Sequence, residues 1–439
     1  MNTDPRGCPV GTGSANALTH SEKALWRMLS YFGNPLEDLD AASAEDPEWI
    51  LPVVMKANCL LSMAEHAHTQ EALKLLALAG SMASRGRGND RERAHIAASL
   101  ACASGQWRTA CDLWERILVE HPRDLVALLA AHLFDFYRGD SRNLQRRVAR
   151  VLPAWSAATP MYSFVLGLHA FGLEECHHYP QAQEAGLAAL AMDRRDPWAV
   201  HAVAHVHEMR GEYEQGVEWL TSRRDDWAPD NGFAFHNWWH LALFNLERGD
   251  TTSALRLFDE RIAPNPEMAL QYVDITALLW RLKLMGVDVG DRWEQAAAVW
   301  PQQAPDAGHY AFNDFHAVLA HIGAGRVDAA EQVLAAVTDK MSESTTPGAM
   351  AATVGVPLLR GMVAYACSDF PAAVDHLLPV REQAFRFGGS NAQRDVIEQT
   401  LLDAAIRADR KPLARHLLNE RLLAKRHSPL TEYWARRAA

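Results

Sequence analysis

Three long segments of this chain share one internal pattern, which limits the fold more than any other feature. In chain order they read HAVAHVHEMRGEYEQGVEWL, FHNWWHLALFNLERGDTTSALRLF and HYAFNDFHAVLAHIGAGRVDAAEQVL. Each opens with an amphipathic run that carries polar residues, breaks at Gly211, Gly249 or Gly325, and resumes as a shorter amphipathic run. Two such runs around a glycine predict a helix, a tight turn and a second helix.

Further breaks at Gly105, Gly286, Ser368 and Asp409 continue the series at intervals of about forty residues. Each unit of this kind buries its apolar face on its neighbours, so a long chain needs no linkers. Strand-like alternation of useful length is not found. We therefore predict an all-α fold, a right-handed α-solenoid of tetratricopeptide-like helix-turn-helix repeats.

Changes in composition suggest four regions along the chain. Residues 1–17 are rich in Gly, Pro, Thr and Asn and predict a loose or draped arm. Residues 18–90 form an N-terminal helical region, and the regular repeats occupy residues 91–425. A polar and basic segment, residues 426–439, suits the capping element that a repeat stack needs at its end.

Charge, cysteine usage and apolar runs disfavour several classes of function. The net charge of −11 comes without a basic stripe, which disfavours nucleic acid as a partner. Six scattered cysteines without a C-x-x-C pair indicate reduced thiols. The start of the chain has no signal-like apolar region, and we expect no apolar run that approaches the roughly 18 residues of a membrane span. We expect a cytoplasmic protein without a membrane segment.

Polar residues recur at one height of the first helices. His201 lies 10 residues before Gly211, His240 lies 9 before Gly249, Asp274 lies 12 before Gly286, and His316 lies 9 before Gly325. The first helices of such repeats line the concave side, and adjacent helix axes lie about 8–10 Å apart. Matched heights therefore predict one polar pocket formed by several repeats.

Two roles are predicted within this pocket. The candidate acid–base residues are His201, His240, Asp274 and His316, since imidazole titrates near neutral pH and a neighbouring carboxylate tunes it. The candidate ligand-binding residues are His205, His236, Trp239, Asn313, Ser390, Asn391 and Arg394. The last three belong to a GGSN loop before a helix, where free N–H groups and the forked donor of Arg394 suit an anion.

The same histidines have the spacing of helical metal ligands. His201/His205 and His236/His240 are i,i+4 pairs, which makes these four residues candidate ligands of a divalent metal. Neither pair is H-E-x-x-H, because Ala202 and Asn237 stand where a zinc protease has its Glu base. The sequence requires no cofactor. It also lacks a phosphate-binding P-loop and the G-x-S-x-G of α/β-hydrolases.

Each of these residues also has a purely structural interpretation. A histidine on a packed helix can serve as a hydrogen-bonded interior residue. Asp274 and Arg281, at i,i+7, would form a structural ion pair; Trp239 would be a packing residue; and Ser390 with Asn391 would only cap a helix. The coincidence of register across four repeats favours the functional interpretation.

Three stretches resemble a known family. They are the region HAVAHVHEMRGEYEQGVEWL with the following DDWAPDNGFAFHNWWHLALFNLERGD, the string HYAFNDFHAVLA, and GGSNAQRDVIEQTLLDAAIR. These strings are similar to the tetratricopeptide repeat protein 38 family, and the resemblance covers roughly residues 20–435. It implies a helical-repeat fold and transfers no mechanism and no catalytic residues.

Three functions remain open on the sequence. The first is a binding protein whose concave pocket holds a small, acidic ligand or a peptide, which the mixture of His, Trp, Phe and Asp favours. The second is an enzyme, of hydrolase or lyase type, that uses the pocket for acid–base or metal-assisted chemistry on a small molecule. The third is a protein–protein interaction scaffold. The sequence does not specify an oligomeric state, although an exposed groove or end repeat could form a dimer.

Overall fold

The computed structural model describes residues 2–300, 306–425 and 428–439. Residues 301–305 of the predicted repeat region and 426–427 of the predicted cap thus lie outside the described residues. Contacts divide the chain into two compact units. The first comprises Met1–Val203 and Asp225–Phe233, and the second comprises Ala204–Arg224 and Ala234–Ala439.

Helical hairpins make up the first unit. Its elements are β1 (Asn2–Thr3), β2 (Pro9–Val10), α1 (Ala15–Ser30), α2 (Pro35–Glu45), α3 (Ile50–Leu61), α4 (His66–Ser84), α5 (Asp90–Ala103), α6 (Trp107–Glu120), α7 (Leu125–Tyr137), α8 (Ser141–Val151), α9 (Tyr162–Glu175) and α10 (Tyr179–Met192). Helices α11 (Pro197–Arg210) and α13 (Arg224–Trp227) cross the boundary between the units.

The second unit continues the same architecture. Its helices are α12 (Tyr213–Ser222), α14 (Ala234–Glu247), α15 (Thr251–Leu257), α16 (Ala269–Leu284), α17 (Arg292–Val299), α18 (Ala311–Gly323), α19 (Val327–Lys340), α20 (Thr346–Met350), α21 (Val356–Ala366), α22 (Phe370–Leu377), α23 (Asn391–Arg407), α24 (Lys411–Ala424) and α25 (Pro429–Arg437). Two π-helical turns, Phe258–Ile262 and Ala351–Gly355, and a 3₁₀ segment, Arg381–Phe387, interrupt them. The prediction of an all-α helical-repeat fold is confirmed.

The turns between paired helices lie where the sequence predicts them. Gly105, Gly211, Gly249, Gly286 and Gly325 all have positive φ, as do Ser368 and Asp409. After each of these residues a backbone N–H reaches back to a carbonyl five residues earlier; Arg326 N, for example, lies 2.8 Å from His321 O. This is the Schellman arrangement, which satisfies the last carbonyls of a helix and reverses the chain within a few residues.

The N-terminal segment is draped over the first unit rather than loose. Arg6 is buried and binds Glu22 on α1, with 2.6 Å between Nη1 and Oε2. The backbone N–H of Gly11 donates to Glu92 on α5 at 2.8 Å. Helix α1 then begins at Ala15, capped by the side chain of Ser14. These anchors come from distant helices, so composition alone does not reveal them.

In the second unit, successive first helices pack side by side. Helix α14 contacts α16, α16 contacts α18, and α18 contacts α21. Helix α23 packs against α16, and α25 packs against both α24 and α14. This order places the polar faces of α14 and α16 next to each other.

One stretch passes the length and composition test for a membrane span. The 21 residues of Thr346–Ala366 are long and apolar enough, contrary to our expectation that no such run exists. However, 56% of the most apolar window is buried inside the structure, and core helices of many proteins pass the same test.

Candidate functional site

Side chains from α11, α14 and α16 bring the candidate site together. In the second unit, α11 contributes His205 and Glu208, α14 contributes His236 and His240, and α16 contributes Asp274 and Arg281. All six are buried, and His205, His240 and Asp274 are 0% exposed. We call these six residues the polar cluster.

Two carboxylates each hold one imidazole of the polar cluster. Nδ1 of His236 lies 2.7 Å from Oδ2 of Asp274 on the next helix. Nδ1 of His240 lies 3.0 Å from Oε2 of Glu208 on the preceding helix. A carboxylate oxygen accepts hydrogen bonds, so Nδ1 is assigned as the donor of each ring, and Nε2 lies on the side of the ring away from the carboxylate.

Three imidazoles converge on one point. His205, His236 and His240 each place one ring nitrogen within 4.8 Å of the others. The ring centres of His205 and His240 lie 4.4 Å apart, and those of His236 and His240 lie 4.8 Å apart. His201, the fourth predicted ligand, stands one turn before His205 on α11, in the part of that helix that belongs to the first unit.

Trp239 and Arg281 form one wall of the polar cluster. The indole of Trp239 stacks on the His236 ring at 5.3 Å and 11°. The Arg281 guanidinium lies 5.4 Å from the centre of the Trp239 ring. It also donates to the carbonyl oxygens of Ala392 and Gln393, at 2.8 and 3.2 Å. The Trp239 side chain is therefore a buried core residue that also holds the His236 ring in place.

Arg281 is a buried cation without a direct ion pair. Among the described residues no carboxylate lies within salt-bridge distance of its guanidinium, so the alternative of an Asp274–Arg281 ion pair is not realised. Asp274 pairs with His236 instead. Burial lowers the pKa of Arg281, while Asp395 and Glu208 act in the opposite direction. Guanidinium at this depth is costly unless a negative charge compensates it.

Burial dominates the electrostatics of the other members. It lowers the pKa of His240 well below its usual value, and the nearby imidazoles of His205 and His236 lower it further. Burial also raises the pKa of Asp274, although His236 counteracts this. The imidazole of His240 is therefore neutral at physiological pH, which is the form that binds metal ions and accepts protons.

A group of charges behind Glu208, not predicted from the sequence, supports this carboxylate. Lys425 Nζ lies 3.1 Å from Oε1 of Glu247 and 3.7 Å from Oε1 of Glu208. Arg421 binds Glu247 at 3.1 Å and Asp395 at 2.7 Å. Burial opposes the charge on Lys425, but Glu247, Asp395 and Glu208 together raise its pKa. Only the folding back of the C-terminal segment brings these residues to the polar cluster.

The His316 imidazole on α18 forms no hydrogen bond with the polar cluster among the described residues. His316 is fully buried between Phe312 and Phe315, and its Nδ1–H donates to the Phe312 carbonyl at 2.8 Å. Its Nε2 has no hydrogen-bond partner among the described residues. Burial lowers its pKa to about 3, and the charge of Arg281 contributes to this shift. Asn313 is also buried on α18.

The GGSN loop uses its polar groups internally. Ser390 caps α23 in a reciprocal pair with Gln393, as the structural interpretation predicted. Arg394 donates to the carbonyls of Gly388 and Gly389 and to Oδ1 of Asn391, the last at 2.6 Å. The arginine that belongs to the polar cluster is therefore Arg281, which reaches the first turn of α23 from α16.

The comparisons with known proteins concern architecture. No family model matches this chain. Similar solved structures include the APC/C hetero-tetramer Cut9–Hcn1, with 13% identity, a TM-score of 0.45, and coverage of 99% of this chain and 78% of that one. The human IFIT1 dimer with m7Gppp-AAAA has 13% identity, a TM-score of 0.43, and coverage of 97% and 95%. Yeast Tom70 has 12% identity, a TM-score of 0.37, and coverage of 96% and 86%. At these identities and TM-scores the similarities assign neither a function nor a partner to this chain.

Proposed function

We propose that this protein is a tetratricopeptide-like repeat protein that binds a small ligand with an acidic group at its polar cluster. The observation that carries the proposal is the buried Arg281 guanidinium, which has no carboxylate partner within the described residues. A ligand carboxylate or phosphate would supply a direct counter-charge and accept the N–H groups of Arg281 that do not already donate to the carbonyls of Ala277, Ala392 and Gln393.

Two orphaned atoms on neighbouring helices support the same proposal. Oδ1 of Asp274 and Nε2 of His316 are buried, and neither has a hydrogen-bond partner among the described residues. A buried polar atom without a partner costs about 1–3 kcal/mol. A small polar molecule that satisfies such atoms recovers this free energy on binding, which favours a polar ligand over an apolar one.

A volume-matched pair of arginine variants tests the proposal. Arg281→Met removes the buried charge, whereas Arg394→Met removes the arginine that binds the GGSN loop. Binding of acetate, succinate, citrate and inorganic phosphate would be measured by calorimetry, and circular dichroism would verify folding. We expect at least one of these anions to bind to the wild type. We expect Arg281→Met to raise the Kd of that anion by about tenfold or more. Unchanged affinity in Arg281→Met, or no anion bound by the wild type, would refute the proposal.

A second candidate function is acid–base catalysis on a small molecule. The His236–Asp274 and His240–Glu208 pairs favour it, because a carboxylate that orients an imidazole is the usual support of a general base. Hydrolase and lyase substrates would be screened with the wild type and with Asp274→Asn. Turnover that falls in Asp274→Asn without loss of substrate binding would support catalysis. Equal turnover in the two proteins would exclude this role of the pair.

Other features of the protein are proposals that rest on the sequence alone. They comprise membership of the tetratricopeptide repeat protein 38 family, a cytoplasmic location, a peptide partner, the capacity to form oligomers, and the scaffold role.

A solved structure of a family member should carry matching histidine pairs on consecutive first helices, and a different arrangement would refute membership. Size-exclusion chromatography with light scattering tests the oligomeric state, and a monomer at all concentrations would exclude a dimer.

A further inference from the structure

We propose that His205, His236 and His240 bind a divalent transition-metal ion of the zinc type. Their three nitrogens lie within 4.8 Å of one another. Nitrogens bound to one tetrahedral ion at about 2.0–2.1 Å would lie about 3.4 Å apart. Shifts of roughly 1 Å in ring position therefore suffice to close the site around an ion. The metal site is a separate proposal from the acidic ligand and does not depend on it.

The carboxylates place the histidines as metal ligands are usually placed. A metal-binding histidine commonly gives its second ring N–H to a carboxylate, which fixes the tautomer and makes the ligating nitrogen more basic. Asp274 does this for His236 at 2.7 Å, and Glu208 does it for His240 at 3.0 Å. In both rings Nδ1 is bound to the carboxylate, so Nε2 is the nitrogen that would bind the ion.

The carboxylates of the polar cluster favour a dication beside the rings, whereas the buried guanidinium of Arg281 opposes it. Glu208 and Asp274 are buried beside the imidazoles, and the cation that approaches Glu208, Lys425 at 3.7 Å, lies nearer to Glu247 at 3.1 Å. A dication on the far side of the imidazoles would stabilise both carboxylates through the rings.

Ligand chemistry narrows the choice of metal. Three imidazoles without a thiolate suit zinc, copper, nickel or cobalt rather than magnesium or calcium, which prefer oxygen ligands. Three protein ligands also leave a coordination position for water or for an oxygen of a bound molecule, as in catalytic zinc sites. The ion would thus give the polar cluster a Lewis acid.

Metal binding is tested with three matched proteins. Chelator-treated, untagged wild type would be titrated with Zn²⁺ by calorimetry and with Co²⁺ by visible absorption, which distinguishes four-coordinate from six-coordinate ions. His236→Gln/His240→Gln removes two ligands. The control, His177→Gln/His178→Gln, removes a pair of neighbouring histidines at a turn outside the cluster. We expect one tight Zn²⁺ per wild-type and control chain and its loss in the ligand variant.

A carboxylate variant tests the metal site even if the ligand variant does not fold. Asp274→Asn retains all three imidazoles and a hydrogen-bond acceptor for His236. Loss of a carboxylate that orients a metal-binding histidine typically weakens metal binding by about 10–100-fold, so we expect a Kd raised by that factor. Wild type that binds no Zn²⁺ stoichiometrically would overturn the proposal, as would tight binding that persists in the ligand variant. Unaltered affinity in Asp274→Asn would contradict the role assigned to the carboxylate.

Discussion

At the scale of single residues, buried histidines make the stability of this protein depend on pH. His132 on α7 is 1% exposed and lies against the rings of Phe171 and Trp198. Neither of its ring nitrogens has a hydrogen-bond partner among the described residues. Burial lowers its pKa from 6.5 to about 3, and the charge of Arg147 lowers it further.

The sign of the effect follows from proton binding. Between pH 6.5 and about 3 the unfolded chain binds a proton at His132 and the folded chain does not. The stability that this residue contributes is therefore fully present above pH 6.5 and is lost as the pH falls. We expect His132→Leu to be about 2 kcal/mol more stable relative to wild type at pH 5 than at pH 7.5.

Calorimetric melting at several pH values measures this difference, with His178→Gln, an exposed histidine, as the control. The melting temperature of His132→Leu should decrease less steeply on acidification than that of wild type or the control. Parallel curves for all three proteins would show that His132 is protonated equally in both states.

Counting along the sequence could predict part of the candidate site at this scale. The turn glycine fixes the phase of each first helix, and distances counted from it match His240 with Asp274 in height. The imidazole that binds Asp274 is instead that of His236, at 2.7 Å. The same count cannot predict Lys425, which reaches Glu247 across 178 residues of chain. Nor does it distinguish Arg281 from Arg394 as the donor beside the cluster, because that depends on how α23 packs on α16.

At the scale of the helical hairpin, the turn residue determines where each pair reverses. Gly325 has φ +73°, and a β-carbon added there would meet no atom within 4 Å, so only the backbone conformation opposes its replacement. Ser368 occupies the equivalent turn with φ 61°. We expect Gly325→Ala to lower the free energy of unfolding by about 1 kcal/mol and Ser368→Gly to raise it by about 0.5 kcal/mol.

The critical result is that the two substitutions, at equivalent turns, change the free energy of unfolding in opposite directions. Thermal unfolding of both variants would be compared with wild type under the same conditions. If both substitutions lowered the melting temperature, the side chain of Ser368 would have to make a stabilising contact that outweighs its backbone strain. The hairpins could be predicted because turn chemistry is local. The π-helical turns Phe258–Ile262 and Ala351–Gly355 could not be predicted, because packing against neighbouring helices determines them.

At the scale of the whole chain, the C-terminal helix connects distant parts of the second unit. The Tyr433 hydroxyl donates to the Leu284 carbonyl on α16 at 2.9 Å, and Ser428 Oγ donates to the Glu247 carbonyl on α14 at 3.2 Å. Trp434 is fully buried. Composition predicted a capping element at the end of the chain. This helix also contacts α14 and α16, whereas a simple end repeat would contact only the repeat before it. In an open stack each repeat contacts only its neighbours.

Because α25 contacts α14 and α16, we expect a destabilising substitution in α25 to destabilise these two helices, although they are far from it in sequence. Trp434→Ala should cost about 3–5 kcal/mol, because it removes a large buried side chain and leaves a cavity. Hydrogen exchange followed by mass spectrometry should then show faster exchange in α14 and α16 as well as in α24. Trp26→Ala, a partly exposed tryptophan in the first unit, serves as the control and should leave these helices unchanged. Faster exchange confined to α24 and α25 would instead mean that the second unit behaves as an open stack, in which the C-terminal helix stabilises only the repeat before it.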